Sequence, residues 1–348
     1  MAPSPTTTTS QLHLMQKGGP FEFAQVPKPA PAPDQILVRQ HATAINGLDL
    51  KQRDTGLFIP RWPHVLGIEG AGIVEAVGSD VRDFKPGDEV MACLAGRARG
   101  EDWGGSYQEH VNVPIDFFVA KKPKNISFEE AASLPIGYVT AVCAILDGLK
   151  IPLPFLPQTA NSRHVPSSVL ILGGSSATGA AALQLLRLGY PSLPIYATSS
   201  PGNFARLRSL GATQVFDYRS PSIVADIRAH QTPGSKGIDM IADFVSAGAS
   251  QTDICEVLDP AGSKIYAALV TGVPVPVRDG VTHVEVDGWS IVDMQGGKSI
   301  LPALTGLVEQ GKYKLPVSVK VAGHGLEQIP KVMDEVLNLS GEKLVVKL

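Results

Sequence analysis

Cysteine, aromatic residues and net charge are all scarce in this chain of 348 residues. The three cysteines, Cys93, Cys143 and Cys255, lie far apart and form no C-x-x-C pair. That excludes a disulfide framework and leads us to expect a reducing, cytoplasmic compartment. Charged residues make up 18% and the net charge is −3, so electrostatics gives no reason to expect nucleic acid or an anionic membrane as partner. Met1–Ser10 is rich in Pro, Thr and Ser but has neither a basic start nor an apolar run; it reads as a disordered tail, not a signal peptide. No apolar segment is expected to span a bilayer. None of the seven tyrosines has a lysine four places on, which removes a Tyr-x-x-x-Lys catalytic pair.

What is present is a well-buried globular composition, 44% hydrophobic, in a chain long enough for two domains. Its organising stretch is Val169-Leu170-Ile171-Leu172-Gly173-Gly174-Ser175-Ser176-Ala177-Thr178-Gly179. Four consecutive apolar residues predict a strand buried on both faces. A glycine turn follows, then apolar residues at helical spacing as far as Gly189. Strand, turn and helix N-terminus together form an anion site, because backbone N–H groups and the positive helix end converge on one spot. Gly173 permits the turn, Gly174 lets a phosphate approach, and the small residues through Ala181 let the helix lie close. Ser175 stands where G-x-G-x-x-G would have its second glycine, so the motif match is incomplete.

Before this stretch, from Leu12 to about Pro123, the chain reads as strands and turns: Gln35–Ala42, Gly70–Gly78, Val90–Cys93 and Tyr107–Val113. Pro86-Gly87 occupies the centre of a type II turn. This predicts a small antiparallel barrel. Ser127 with Glu130 forms a capping box, Gly137–Leu149 an apolar helix, and Ile151–Pro166 a proline-rich loop. Beyond the glycine turn β and α alternate. Strands are expected at Pro194–Thr198, Gln214–Tyr218, Ile238–Phe244, Lys264–Val270 and Gly288–Met294, with helices at Asn203–Leu210 and Ile223–His230. That pattern predicts an α/β, doubly wound parallel sheet. A helix at Ile300–Gln310 and a strand at Lys343–Leu348 return the chain to the first domain.

The chain resembles a medium-chain dehydrogenase/reductase. The likeness is carried by Ala44-Ile45-Asn46-Gly47-Leu48-Asp49, Gly67-Ile68-Glu69-Gly70-Ala71-Gly72, Pro86-Gly87-Asp88-Glu89-Val90, Gly105-Ser106-Tyr107-Gln108-Glu109 and Gly341-Glu342-Lys343-Leu344-Val345. Within that family it is most similar to the zinc-free, quinone oxidoreductase-like branch and its fungal trans-acting enoyl reductases of polyketide synthases. Here the likeness rests on Gly173–Thr178, Ser200–Phe204, Val215–Arg219 and Ser340–Lys343. The resemblance implies a GroES-like domain over residues 11–125 and 295–348, and a Rossmann NADPH-binding domain over 126–294 after a 1–10 tail.

It also implies roles. Where zinc members carry a Cys ligand this chain has Asn46, and in their Gly-His-Glu it has Ile68. His64, Glu69 and Cys93 do not make a substitute site, so no metal is expected. Chemistry then shifts to hydride addition to a conjugated C=C, with the nicotinamide as hydride source. Asn46 and Asp49 match the Asn-x-x-Asp of the zinc-free branch. Lys51 reads either as proton donor or carbonyl-polarising group, or as a solvated surface lysine. Thr140 matches a threonine beside the nicotinamide amide; the alternative is a helix hydroxyl bonded to its own backbone. The remaining cofactor contacts implied are Gly174, Ser175, Ser176, Ala177, Thr178, Ser199, Ser200, Asn203, Tyr218, Leu269 and Lys343. No acid stands at Ser199-Ser200-Pro201-Gly202-Asn203 to hold a ribose 2′-OH, so NADPH is expected over NADH. The expected partner is a small or carrier-bound enoyl substrate, with a polyketide synthase behind it, and the chain a monomer or homodimer. A reductase of free quinones or alkenals, or a redox-neutral NADPH binder, would share these features.

Overall fold

The computed structural model describes residues 8–156, 165–230 and 236–348. The chain forms two compact units. The first runs through Ile136 and includes Leu301–Glu309 and Ser318–Leu348; the second comprises Gly137–Ile300 and Gln310–Val317.

In the first unit, strands β1 (Thr8–Leu14), β2 (Phe21–Pro27) and β3 (Gln35–Ile45) lead into helix α1 (Gly47–Thr55). Then come β4 (His64–Val65), β5 (Glu69–Val77), β6 (Glu89–Cys93), β7 (His110–Pro114) and β8 (Val119–Lys121). Helix α2 (Phe128–Ala132) starts at the expected capping box, with Ser127 Oγ accepting from Glu130 N–H and the Glu130 carboxylate from Ser127 N–H. It packs on β3 and β5, which keeps this stretch in the first unit up to Ile136. The type II turn forms, with Gly87 at φ +92°.

The second unit takes up the chain within α3 (Pro135–Cys143), followed by β9 (Val169–Leu172), α4 (Ala177–Gly189), β10 (Ile195–Ser199), α5 (Phe204–Ser209) and β11 (Gln214–Asp217). Next are α6 (Ile223–Ala229), β12 (Met240–Asp243), β13 (Ile265–Leu269) and β14 (Thr282–Val286). Its sheet has the order β11-β10-β9-β12-β13-β14, parallel throughout. All four β9 side chains are fully buried, each contributing about 1.5–3 kcal/mol. Strand order reverses between β9 and β12, and ligands of such sheets bind in the crevice beyond the carboxyl ends at that reversal.

Helix α7 (Ile300–Glu309), strand β15 (Ser318–His324), the short helix α8 (Ile329–Val332) and β16 (Glu342–Lys347) end the chain. The larger sheet of the first unit has the order β15-β16-β3-β5-β6-β8, with β7 also paired to β3, and β2-β1-β4 forms a smaller one.

Several expectations are corrected. Of the supposed disordered tail, residues 1–7 lie outside the described residues, but Thr8–Ser10 belong to β1 and pair with Gln25–Pro27. Thr9 is buried, its hydroxyl bonded to Glu109 and His110. Gly288–Met294 is not a strand: Gly288–Asp293 is a 3₁₀ helix capped by Asp287, whose carboxylate accepts from Trp289 N–H at 3.0 Å. The edge strand is Thr282–Val286 instead. The apolar helix starts at Pro135 and widens to a π turn over Ala144–Gly148. Tyr107 precedes β7, its backbone bonding Leu12 and Leu66. Phe128–Gly148 is, by length and composition, long and apolar enough to cross a membrane, contrary to the sequence reading. Its most apolar 18-residue stretch is 83% buried inside the protein, as a core helix is. The loop Ile151–Pro166 falls partly outside the described residues.

Candidate active site

On the second unit the glycine turn is held by β10. Gly173 adopts φ +75°, the left-handed region that only glycine enters without strain. Its N–H donates to Thr198 Oγ1 at 3.1 Å, and that of Gly174 to the Thr198 carbonyl at 2.9 Å. A Cβ on Gly174 would lie 2.9 Å from Ala197 Cβ. The third close approach is at Gly179, where a Cβ would run into the Gly173 carbonyl, so this glycine sets how tightly α4 lies on the turn. Ser176 caps α4, its Oγ accepting from Gly179 N–H at 3.0 Å. The Ala177 and Thr178 amides of the first turn have no intrahelical acceptor and point out of the helix end beside Ser175.

The expected 2′-phosphate residues sit at the ends of β10 and β11. Ser199 is buried and its Oγ has no hydrogen-bond partner among the described residues. Asn203 Nδ2 donates to Ser200 Oγ at 3.1 Å. Tyr218 is exposed with the Arg219 guanidinium over its ring. What the sequence reading missed is Asp217, the register partner of Ser199. Its carboxylate takes three bonds from Arg219, two from the guanidinium at 3.1 and 3.2 Å and one from the backbone N–H at 3.1 Å, which hold its pKa below the usual range.

Leu269 ends β13 and lines a cavity of about 240 Å³ with Val270, Thr271, Val273 and His283. Thr140 lies against Gly288, where a Cβ would stand 2.8 Å from Thr140 Oγ1.

On the first unit, α1 and β5, β16 gather a buried polar set. Asn46 caps α1, and its N–H donates to Asp49 Oδ2 at 2.7 Å. Tyr107 Oη donates to the same oxygen at 3.0 Å. Asp49 is fully buried, and that burial raises its pKa to about 6, against the lowering effect of these two bonds and of Lys343. Lys343 Nζ pairs with Glu69 Oε1 at 2.7 Å and donates to Asn46 Oδ1. Glu69 Oε2 accepts from Ile136 N–H at 2.9 Å. Glu69 and Tyr107 belong to this buried set; a lone acid in the glycine-rich run Gly67–Gly72, at the start of β5, was the one available signal for the first.

Lys51 is also on α1. It lies two residues beyond Asp49 on α1, and positions two apart on a helix do not share a face. It is half-buried, and desolvation lowers its pKa. Lys343, expected at the cofactor, is bonded to Asn46 and Glu69. His64 is buried and its pKa is lowered to about 4, chiefly by desolvation. Among the described residues no group of three His, Cys, Asp or Glu side chains could hold a metal ion.

Residues 32–124 match the alcohol dehydrogenase GroES-like domain. The chain is 34% identical to the enoyl reductase component lovC of lovastatin nonaketide synthase from Aspergillus terreus, over 92% of each chain. It is 30% identical to the dehydrogenase azaJ of Aspergillus niger, over 93% of this chain and 94% of that one. The chain belongs to the medium-chain dehydrogenase/reductase family. Among solved structures it is similar to an NAD-dependent alcohol dehydrogenase, with 27% identity, a TM-score of 0.75 and coverage of 97% and 99%. The GroES-like and Rossmann architecture read from the sequence is that of this family. This member is an oxidoreductase of nicotinamide-dependent type, and it is also 32% identical to the trans-enoyl reductase caaB of Aspergillus niger, over 93% of this chain and 92% of that one.

Proposed function

We propose that this protein reduces an activated carbon–carbon double bond with NADPH, acting in trans on an enoyl thioester carried by a polyketide synthase. The observation that carries the reading is the buried set Asn46–Asp49–Tyr107–Glu69–Lys343. It offers hydrogen-bond donors and a carboxyl group whose pKa burial raises to about 6, where zinc-dependent relatives would need metal ligands. The likeness to lovC supports the substrate class.

The second unit suits the cofactor. The glycine turn leaves room for a pyrophosphate, the Ala177 and Thr178 amides would hold it, and the orphaned Ser199 Oγ with Ser200, Asn203 and Tyr218 would take a 2′-phosphate. Thr140 and Leu269 would border the nicotinamide, which supplies the hydride when bound. The chain's own residues do the rest. Asn46 would donate a hydrogen bond to the carbonyl oxygen as negative charge collects there, the kind of electrostatic stabilisation that dominates many enzymes. Lys51, Tyr107 or solvent would deliver the α-proton, with Asp49 holding the Tyr107 hydroxyl. Cys93, Cys143 and Cys255 are buried and none forms a disulfide, which supports a reducing cytoplasm.

The test is NADPH consumption against enoyl thioesters, free quinones and enals. Fastest turnover of the thioesters, rising further on an acyl carrier protein, is expected. Preference for free quinones or enals would move the protein to a small-molecule reductase, and no turnover with retained NADPH binding would make it a redox-neutral binder.

A further inference from the structure

The Asn46 side-chain amide is asymmetric, and its surroundings decide which end faces out. Lys343 Nζ donates to Oδ1. A flipped amide would set an NH₂ against an ammonium, two donors in hydrogen-bond contact, so the flipped state is excluded. The other end, Nδ2, reaches only the Ala44 carbonyl at 3.4 Å, too long to satisfy two N–H groups. Lys343 is itself held at 2.7 Å by Glu69 Oε1, whose second oxygen is tied to Ile136 N–H. Glu69, Asp49 and Tyr107 are wholly buried, whereas Asn46 keeps 9% of its surface and Lys343 8%. The chain of contacts runs from a fully buried carboxylate through an ammonium to an amide, and the last two each keep a little exposure.

We propose that Lys343, anchored by Glu69, is a positioning residue that locks the Asn46 amide with Nδ2 outward, so that an uncharged N–H, not the ammonium, meets the substrate carbonyl. This rests on the enoyl-reductase reading above. The arrangement fits the reaction. A fixed donor stabilises the enolate oxygen without reorganising. The positive charge stays compensated by Glu69, so it does not draw an unpaired anion into the site.

The experiment is a double-mutant cycle of Asn46→Ala and Lys343→Met. Turnover of an enoyl thioester is measured together with NADPH affinity. A second readout, taken without cofactor, is the carbonyl stretch of a bound enoyl thioester followed by isotope-edited infrared. Each single variant is expected to lose at least about tenfold in kcat, with NADPH affinity within about threefold of the parent. The double variant should be little worse than Asn46→Ala, because residues acting through one another are not additive. The carbonyl stretch should lie at lower frequency in the parent than in either variant, and Lys343→Arg should recover part of both effects. Because Lys343→Met leaves Glu69 buried and unpaired, Glu69→Gln with Lys343→Met serves as the second background. Multiplying losses, an unchanged carbonyl stretch in Lys343→Met, or collapse of NADPH binding with kcat retained would overturn the inference while leaving the reductase reading intact. A parent that neither binds nor reduces any enoyl thioester would overturn both.

Discussion

Ser199 and Asp217 are register partners at the ends of adjacent parallel strands, and the Arg219 guanidinium grips the carboxylate of Asp217 with two hydrogen bonds. Asp217, beside the tip of β10, is therefore already paired with a cation. This turns the cofactor question into a local charge balance. NADPH should bind at least about tenfold tighter than NADH in fluorescence titrations. Arg219→Ala, which leaves Asp217 unpaired, should narrow that ratio, and Ser199→Asp should narrow or reverse it. Equal affinities in the unmodified protein would contradict the assignment.

Metal analysis provides a second check. With Asn46 and Ile68 where zinc-binding relatives carry ligands, purified protein should contain no stoichiometric zinc and should keep its turnover in chelator. About one zinc per chain, with activity lost on its removal, is the opposing result.

Lys51 separates two views of proton delivery. If it is the general acid, Lys51→Ala should lower kcat on an enoyl thioester by about tenfold or more, with NADPH affinity little changed. An unchanged kcat would assign the proton to Tyr107 or to solvent.

Asp49 makes stability depend on pH. Burial raises its folded pKa to about 6 from an ordinary 3.8, so the folded state binds more protons than the unfolded one between these values. The contribution of Asp49 to stability is full below about pH 4 and is lost as pH rises through 6, by about 3 kcal/mol for a shift of this size. Asp49→Asn keeps an oxygen for the Asn46 and Tyr107 donors but cannot ionise. Denaturant unfolding of the two proteins should show parent minus variant stability declining between pH 4 and 7. A pH-independent difference would refute the shift.

Gly173→Ala tests the turn. At φ +75° an alanine costs about 1–2 kcal/mol, and its Cβ would press on both methyls of Val245, 2.8 Å from Cγ2. Val245 is half-exposed and can yield, so a loss of roughly 2–3 kcal/mol is expected by thermal or chemical unfolding, with weaker NADPH binding.

Much of this protein was legible along the chain because its signals are local. Val169–Leu172 had to be a strand buried on both faces, since four apolar residues in succession have no polar side to give to water. Gly173 had to turn, and Ser127 with Glu130 had to start a helix, because caps and turns are settled within a few residues. Thr8–Ser10 and Gly288–Asp293 went the other way: pairing with Gln25–Pro27 drew polar residues into a strand, and one Asp287 cap turned an apolar run into a 3₁₀ helix. The buried set at the candidate active site was beyond local reading altogether. Asn46 and Lys343 are 297 positions apart, and they meet only because β16 pairs with β3, whose last residue precedes Asn46. Sequence determined the elements and the glycine turn. Tertiary pairing decided which charges are buried together, because burial and its electrostatic cost belong to the assembled sheet and to no single stretch of chain.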